Sequence, residues 1–340
     1  MRYSIGYQLP DALDSTLEIC KDYRDHINDV FFSFGTEPSG RSPLGTAGEK
    51  ETIEALQLEE LAQIKALGIG LTLLLNANCY GSEATSQNLK DRTIALVDKL
   101  QQAVGIDSVT TASPFVADVL KNAYHDLQIT ASVNMRVGSI TAMKQLSGSF
   151  DGFYVKKEVN RDFAKLKQMH AWCEANGKKL HMLANSGCLT DCAFQTFHDN
   201  LIAHQRPEED PGVSMGYPAP CHRYLAGLPV QEGLAEFMRG NWVRPEEIAL
   251  YEPYFDVVKL ATRMHARPRM VVAAYCRGRF KGNLLDLTEP SYSHLFRGYV
   301  VDNTRIPKPW FSMASGCGKR CEDCHVCENA IRQATVRDHE

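Results

Sequence analysis

Strand-sized apolar runs alternate with longer amphipathic stretches along most of this chain. The runs fall at residues 4–8, 30–35, 68–78, 107–113, 128–137, 152–159, 179–185 and 255–261. Helical spacing of apolar positions fills the gaps at 14–25, 51–67, 86–104, 114–125, 140–146, 162–176 and 245–254. Pro114 suits a first helical turn, and Gly177 suits the position just past a helix end. Near-continuous apolar strands separated by helices predict a parallel sheet covered on both faces. Eight such units over about 260 residues predict a (β/α)8 barrel of TIM type, whose usual size is ~250 residues. An open doubly wound sheet is the competing arrangement, but no Gly-rich dinucleotide loop follows the first strand.

The rhythm breaks twice. Residues 189–233 form an insertion after the seventh strand, with an acidic, proline-flanked loop at 207–211. A Pro/Gly/Ser-rich loop at 36–48 precedes the second helix. From residue 284 the pattern turns irregular. The expected organisation is therefore a barrel over 1–285 that includes the insertion, and a Cys-rich metal-binding extension over 286–340.

Composition narrows the class. The chain has 340 residues, 44% hydrophobic and 23% charged, with a formal net charge of −4. That is ordinary globular composition. A slightly acidic chain does not indicate nucleic acid as a partner, although 259–281 is locally basic. No signal peptide is apparent, and no apolar run has membrane-spanning length. The expectation is a cytoplasmic protein with no membrane partner, in which cysteines stay reduced.

The cysteines carry the strongest chemical signal. Seven of the 11 fall in two groups. Cys317, Cys321, Cys324 and Cys327 form a tight C-terminal knot. Cys188 closes the seventh strand, Cys192 follows on the next turn, and Cys221 returns from the insertion. Thiolates at such gaps converge on zinc or an iron–sulfur cluster. The fourth ligand of the upstream group is expected from Cys79, with Cys276 as the alternative; His198, His204 and His222 are further candidates. Cys317, Cys321 and Cys324 also match the Cys-x3-Cys-x2-Cys spacing of radical-SAM enzymes. That motif normally follows the first barrel strand, not the last.

Barrel enzymes place chemistry at the C-terminal strand ends. Those ends supply Asn78, Asn134, Arg136, Lys157, Glu158, Asn185 and Arg263, with Lys259 in the last strand. No G-x-S-x-G elbow, Walker loop or H-E-x-x-H occurs.

Several of these segments together resemble the U32 peptidase-like (collagenase-like protease) family. Residues 183–192, Leu-Ala-Asn-Ser-Gly-Cys-Leu-Thr-Asp-Cys, are similar to its cysteine-bearing signature. Val155-Lys-Lys-Glu158 resembles its Ser-Arg-Glu strand end, with Lys157 replacing arginine. Residues 255–263 resemble its Lys-Ile-x-Gly-Arg strand, with Thr262 replacing glycine. The resemblance implies a barrel with a [4Fe-4S] cluster on four cysteines. It also implies oxygen-independent hydroxylation, which family members perform on RNA bases or the ubiquinone ring, some with prephenate. Two departures stand out: Cys192 and Cys221 are widely spaced, and the C-terminal knot is an addition.

The expected function is thus iron–sulfur-dependent redox modification of a small anionic substrate or oxygen donor. Cys79, Cys188, Cys192 and Cys221 are the expected ligands of one centre, and Cys317, Cys321, Cys324 and Cys327 of a second, with zinc as the alternative at the knot. Glu158, Lys157 and Arg263 are the catalytic candidates. Asn78, Asn134, Arg136, Asn185 and Lys259 are the substrate-binding candidates. An electron-donor or partner protein fits this scheme. A U32-type peptidase and a non-catalytic metal-bearing partner protein are the other readings.

Overall fold

Eight strands in the computed structural model form a closed parallel barrel in simple sequential order. The structure describes residues 1–9, 14–35, 37–40, 50–204, 219–318 and 320–338. The strands are β1 (Arg2–Gly6), β2 (Ile27–Phe32), β3 (Gly70–Leu75), β4 (Ser108–Thr111), β5 (Gln128–Ala131), β6 (Gly152–Tyr154), β7 (Lys179–Leu183) and β8 (Val257–Lys259). β1 pairs with β2 and also with β8, Ser4 opposite Lys259, which closes the ring. The (β/α)8 expectation holds. Closure excludes the open sheet.

Helices α1 (Thr16–Asp22), α2 (Lys50–Ala66), α3 (Gln87–Ala103), α4 (Pro114–Ala123), α5 (Ile140–Leu146) and α6 (Phe163–Ala175) follow the first six strands. Their starts are set locally: Ser86, Ser113 and Asp162 side chains accept the N–H three residues on, which satisfies donors the helix leaves free. Gly177 takes φ +61° past α6, the left-handed turn that ends it.

β1 and β2 start earlier than the apolar runs that announce them, and β3 through β8 are shorter than theirs. The runs continue past the last paired residue, so 76–78 and 155–159 are rim, and Lys157–Val159 is a 3-10 turn. Residues 245–251 likewise form a 3-10 segment rather than an α-helix. Insertion residues that gave no clear periodicity form α7 (Gln195–His204), α8 (Pro220–Ala226) and α9 (Val230–Arg239). α10 (Pro268–Arg277) covers β8 and β1. The loop at 207–211 and most of 36–48 lie outside the described residues.

The tail packs on the barrel. It holds α11 (Trp310–Ser315), α12 (Val326–Ala334) and an antiparallel pair, β9 (Tyr299–Val301) with β10 (Thr335–Arg337). Tyr292, Trp310, Phe311 and Ile331 belong to the same buried apolar cluster as the strands. Glu289 N donates to Asn185 O at 3.0 Å and Gly187 N to Glu289 O at 3.0 Å, so the tail runs beside the extension of β7. Gly187 must be glycine there: an added Cβ would stand 2.5 Å from Pro290 O. Among the described residues no helix is long and apolar enough to cross a membrane.

Alternation along the strands sends every second side chain to the barrel axis. The inner tier is polar. Ser4 and Thr72 hydroxyls each donate to Asp29 Oδ2 at 2.8 Å, and Thr72 meets Ser108 at 2.7 Å. Two residues further along the strands, Phe31, Leu74, Thr110, Tyr154 and Leu183 form the tier above.

Candidate active site and two thiol pockets

That upper tier is the floor of a cavity of about 360 Å³ at the C-terminal end of the barrel. Lys259 rises from the floor. Lys157 and Arg263 enter from the strand ends, and Cys188, Cys192, Cys221, His198 and His222 form one wall. Backbone geometry explains the entry of Arg263. Gly6 N donates to Thr262 Oγ1 at 2.7 Å, and a Cβ on Gly6 would lie 2.6 Å from Arg263. A side chain at residue 6 would therefore push Arg263 off the rim. Arg263 Nη2 then donates to Ser39 Oγ at 3.2 Å. The same short loop is tied down by Gly40 N donating to Asn76 Oδ1 at 2.9 Å, and Asn134 Nδ2 reaches Asn76 O at 3.1 Å.

The cavity's two lysines have opposite environments. Burial works against charge on Lys157, but contact with Cys188, helped by Glu158 and Asp199, raises its pKa overall. Lys259 Nζ sits 3.7 Å from the Phe31 ring centroid and 5.2 Å from that of Tyr154. Burial drops its pKa to about 7, with Asp29 opposing the drop and Arg263 adding to it.

Burial pushes the Cys192 and Cys221 thiols up, and charge on Cys188 pushes further; all three line the same cavity. Tyr292 faces them. Its buried hydroxyl has no nitrogen or oxygen partner and is directed at Cys221. Asp191, at φ +47°, makes the tight turn that returns Cys192 toward Cys188.

The C-terminal knot makes a second pocket of about 290 Å³, lined by Cys317, Cys321, Cys324 and Cys327 with Arg239 and Arg320. The buried Trp310 indole N–H again finds no nitrogen or oxygen acceptor and is directed at Cys327. A thiol is a weak acceptor, whereas a thiolate is a strong one. Two buried donors aimed at two cysteine groups therefore fit sulfur held as thiolate, which metal binding enforces. Among the described residues no three His, Cys, Asp or Glu side chains already stand at the spacing of one ion's ligands.

A short strap joins the pockets. Thr190, between Cys188 and Cys192, donates through Oγ1 to Arg239 O at 2.7 Å and accepts from Asn241 Nδ2 at 2.9 Å. Arg239 lines the second pocket.

The remaining candidates are placed elsewhere. Cys79 lies on the rim after β3, where its sulfur accepts from Gly81 N at 3.4 Å, and it does not line the cavity. Cys276 is on α10, beside Tyr3 of β1, with its thiol pushed by burial to about 11. Asn78 and Arg136 both reach Asp199 of α7, at 3.2 and 3.4 Å. Asn185 is buried and braces Ala261 and Leu287. Glu158 sits on the 3-10 turn behind Lys157, away from the cavity lining. Sequence reading did not single out Tyr292, Tyr154, Asp29 or Asp199. Two are aromatics inside ordinary-looking segments, and Asp29 lies mid-strand where polarity gives no rim signal.

No family model matches the sequence. The chain is 24% identical over 300 residues, 84% of each chain, to a Methanocaldococcus jannaschii protein named uncharacterized protease MJ1657. Its fold is similar to the solved structure of the U32 peptidase Mk0906, with TM-score 0.52, 18% identity, and coverage of 77% of this chain and 92% of that one.

Proposed function

We propose, from the similarity to MJ1657 and to the fold of the U32 peptidase Mk0906, that this chain is U32 peptidase-like and that its barrel cavity is the active site of an iron–sulfur-dependent redox enzyme. The reaction is an oxygen-independent hydroxylation or related modification of a small anionic substrate. The observation that carries this reading is the shared wall: Cys188, Cys192 and Cys221 line the same cavity as Lys157, Lys259 and Arg263. A cluster held there supplies one-electron chemistry beside the substrate. Cys317, Cys321, Cys324 and Cys327 would hold a second centre, with the Thr190–Arg239 strap between the two.

The chain's own residues supply binding and exclusion of water. Arg263 presents a guanidinium fork to a carboxylate. Lys157 adds a second positive charge, supported from behind by Glu158. Asn134 and Thr110 offer hydrogen bonds, while Phe31, Leu74 and Tyr154 keep the floor apolar.

The test is electron paramagnetic resonance of anaerobically purified, dithionite-reduced protein. Iron–sulfur signals are expected, with the barrel centre's component lost in Cys188→Ala and retained in Cys79→Ala, and the component of the C-terminal knot present in both. A second reading, a cysteine peptidase, is favoured by one contact: Lys157 beside Cys188 stabilises a nucleophilic thiolate. Peptide cleavage by metal-free protein, abolished by Cys188→Ala, would overturn the redox reading in its favour.

A further inference from the structure

Lys259 is built unlike a substrate-binding cation. It ends a central strand, points up the barrel axis, and has its amine over the Phe31 and Tyr154 rings at 3.7 and 5.2 Å to the centroids. Among the described residues no carboxylate lies within ion-pair distance of it. Asp29, the acidic group of the tier below, is already bonded to Ser4 and Thr72. Arg263 faces Lys259 from above and adds positive charge. His181, tilted against Tyr154 with centroids 5.0 Å apart, is itself held neutral by burial, with a pKa of about 4. Burial, the larger effect, and Arg263 favour its uncharged form; Asp29 and the two rings pull the other way without restoring the charge, and the same cavity keeps Lys157 charged beside the guanidinium of Arg263. A neutral amine beside fixed cations is an arrangement for covalent capture of a carbonyl whose carboxylate is held by the cations.

We propose that Lys259 forms a Schiff base with the keto group of a small 2-oxo acid whose carboxylate lies on Arg263. The nitrogen lone pair adds to the carbonyl carbon, forming a C–N bond while the carbonyl oxygen gains a proton. That oxygen then leaves as water with the two amine hydrogens, and the C=N bond remains. This goes beyond the redox reading: it needs the cavity but not the cysteine centre.

The experiment is reductive trapping on the full chain as purified, with iron measured on the same sample. Protein is incubated with pyruvate, or with phenylpyruvate to use the aromatic floor. It is then reduced with sodium borohydride, which supplies hydride to the C=N bond, and examined by intact mass and peptide mapping. The expected result is one adduct with the mass of the acid less one oxygen, on the peptide containing Lys259. Unshifted lysines are roughly a thousandfold less deprotonated at pH 7, so the selectivity should be large. Trapping should rise with pH and level off above about 7, and disappear in Lys259→Met. Absence of an adduct with both acids, or label scattered over surface lysines, would overturn the proposal. Mapping on the unmodified sequence keeps this decision even if the variant fails to fold. Trapping without iron would sink the redox reading and leave Lys259 intact; iron without trapping would do the reverse.

Discussion

Tyr292 carries a buried hydroxyl into a wall of sulfur, and what that hydroxyl does can be measured. A donor to a thiolate stabilises the more reduced, more negative state of a cluster and raises its potential. Tyr292→Phe should therefore lower the potential of the centre near Cys221 in a redox titration while changing stability by less than about 1 kcal/mol. An unchanged potential would mean that the hydroxyl is only packing. Lys259 makes a second prediction, with a definite sign. Its folded pKa, about 7, lies below the unfolded value near 10.5. The unfolded chain thus binds more protons between those values, and the group's contribution rises with pH across that window. Below about 7 its charge is a burden on the fold. Lys259→Met should then raise the unfolding free energy at pH 6, read by denaturant titration, by on the order of 1–2 kcal/mol after allowing for water in the cavity, and the gain should shrink toward pH 10. At this scale legibility was uneven. Polar strand ends are visible in sequence, but a polar residue there can face the cavity or brace the backbone. Asn134, Lys157, Lys259 and Arg263 line the cavity, whereas Asn185 braces two loops and Asn78 and Arg136 meet Asp199. Only the three-dimensional neighbour decides between these.

The strands and the first six helices were legible because buried parallel strands write continuous apolar runs and their helices cap in recognisable ways. What overshot was the end of β3 through β8, since the chain continues onto the rim in extended or 3-10 form after pairing stops. The insertion was not legible: α7 and α8 pack by short, partly exposed faces with little periodicity. Their consequence is nevertheless central, because α8 brings Cys221 to the wall begun by Cys188. The Cys188 loop is held by close backbone contact with the tail. Gly187→Ala places a methyl 2.5 Å from Pro290 O, which should cost about 1–3 kcal/mol. It should also reduce iron bound at the barrel site, read by metal analysis of the soluble protein. Full iron content in a stable Gly187→Ala protein would show that this contact does not position the cysteines.

At the scale of the molecule, the C-terminal extension shares the barrel's core through Tyr292, Trp310, Phe311 and Ile331. Arg161 sits over Trp242 and Trp310, at 5.2 and 4.8 Å to the centroids, joining the insertion's end to the tail. Each large aromatic lost from such a core costs ~3–5 kcal/mol, against a total stability of about 5–15 kcal/mol. Deleting residues 286–340 should therefore abolish cooperative unfolding in a thermal melt; a two-state transition in the truncated chain would contradict this. The tail also brings the four-cysteine pocket to Arg239, one hydrogen bond from Thr190 between Cys188 and Cys192. The proposed function requires redox-active metal at both thiol groups. The most direct test is iron, acid-labile sulfide and zinc per chain in anaerobically purified protein. About eight irons and eight sulfides are expected, the content of two four-iron clusters, with a visible chromophore. Zinc alone, with no chromophore, would contradict it.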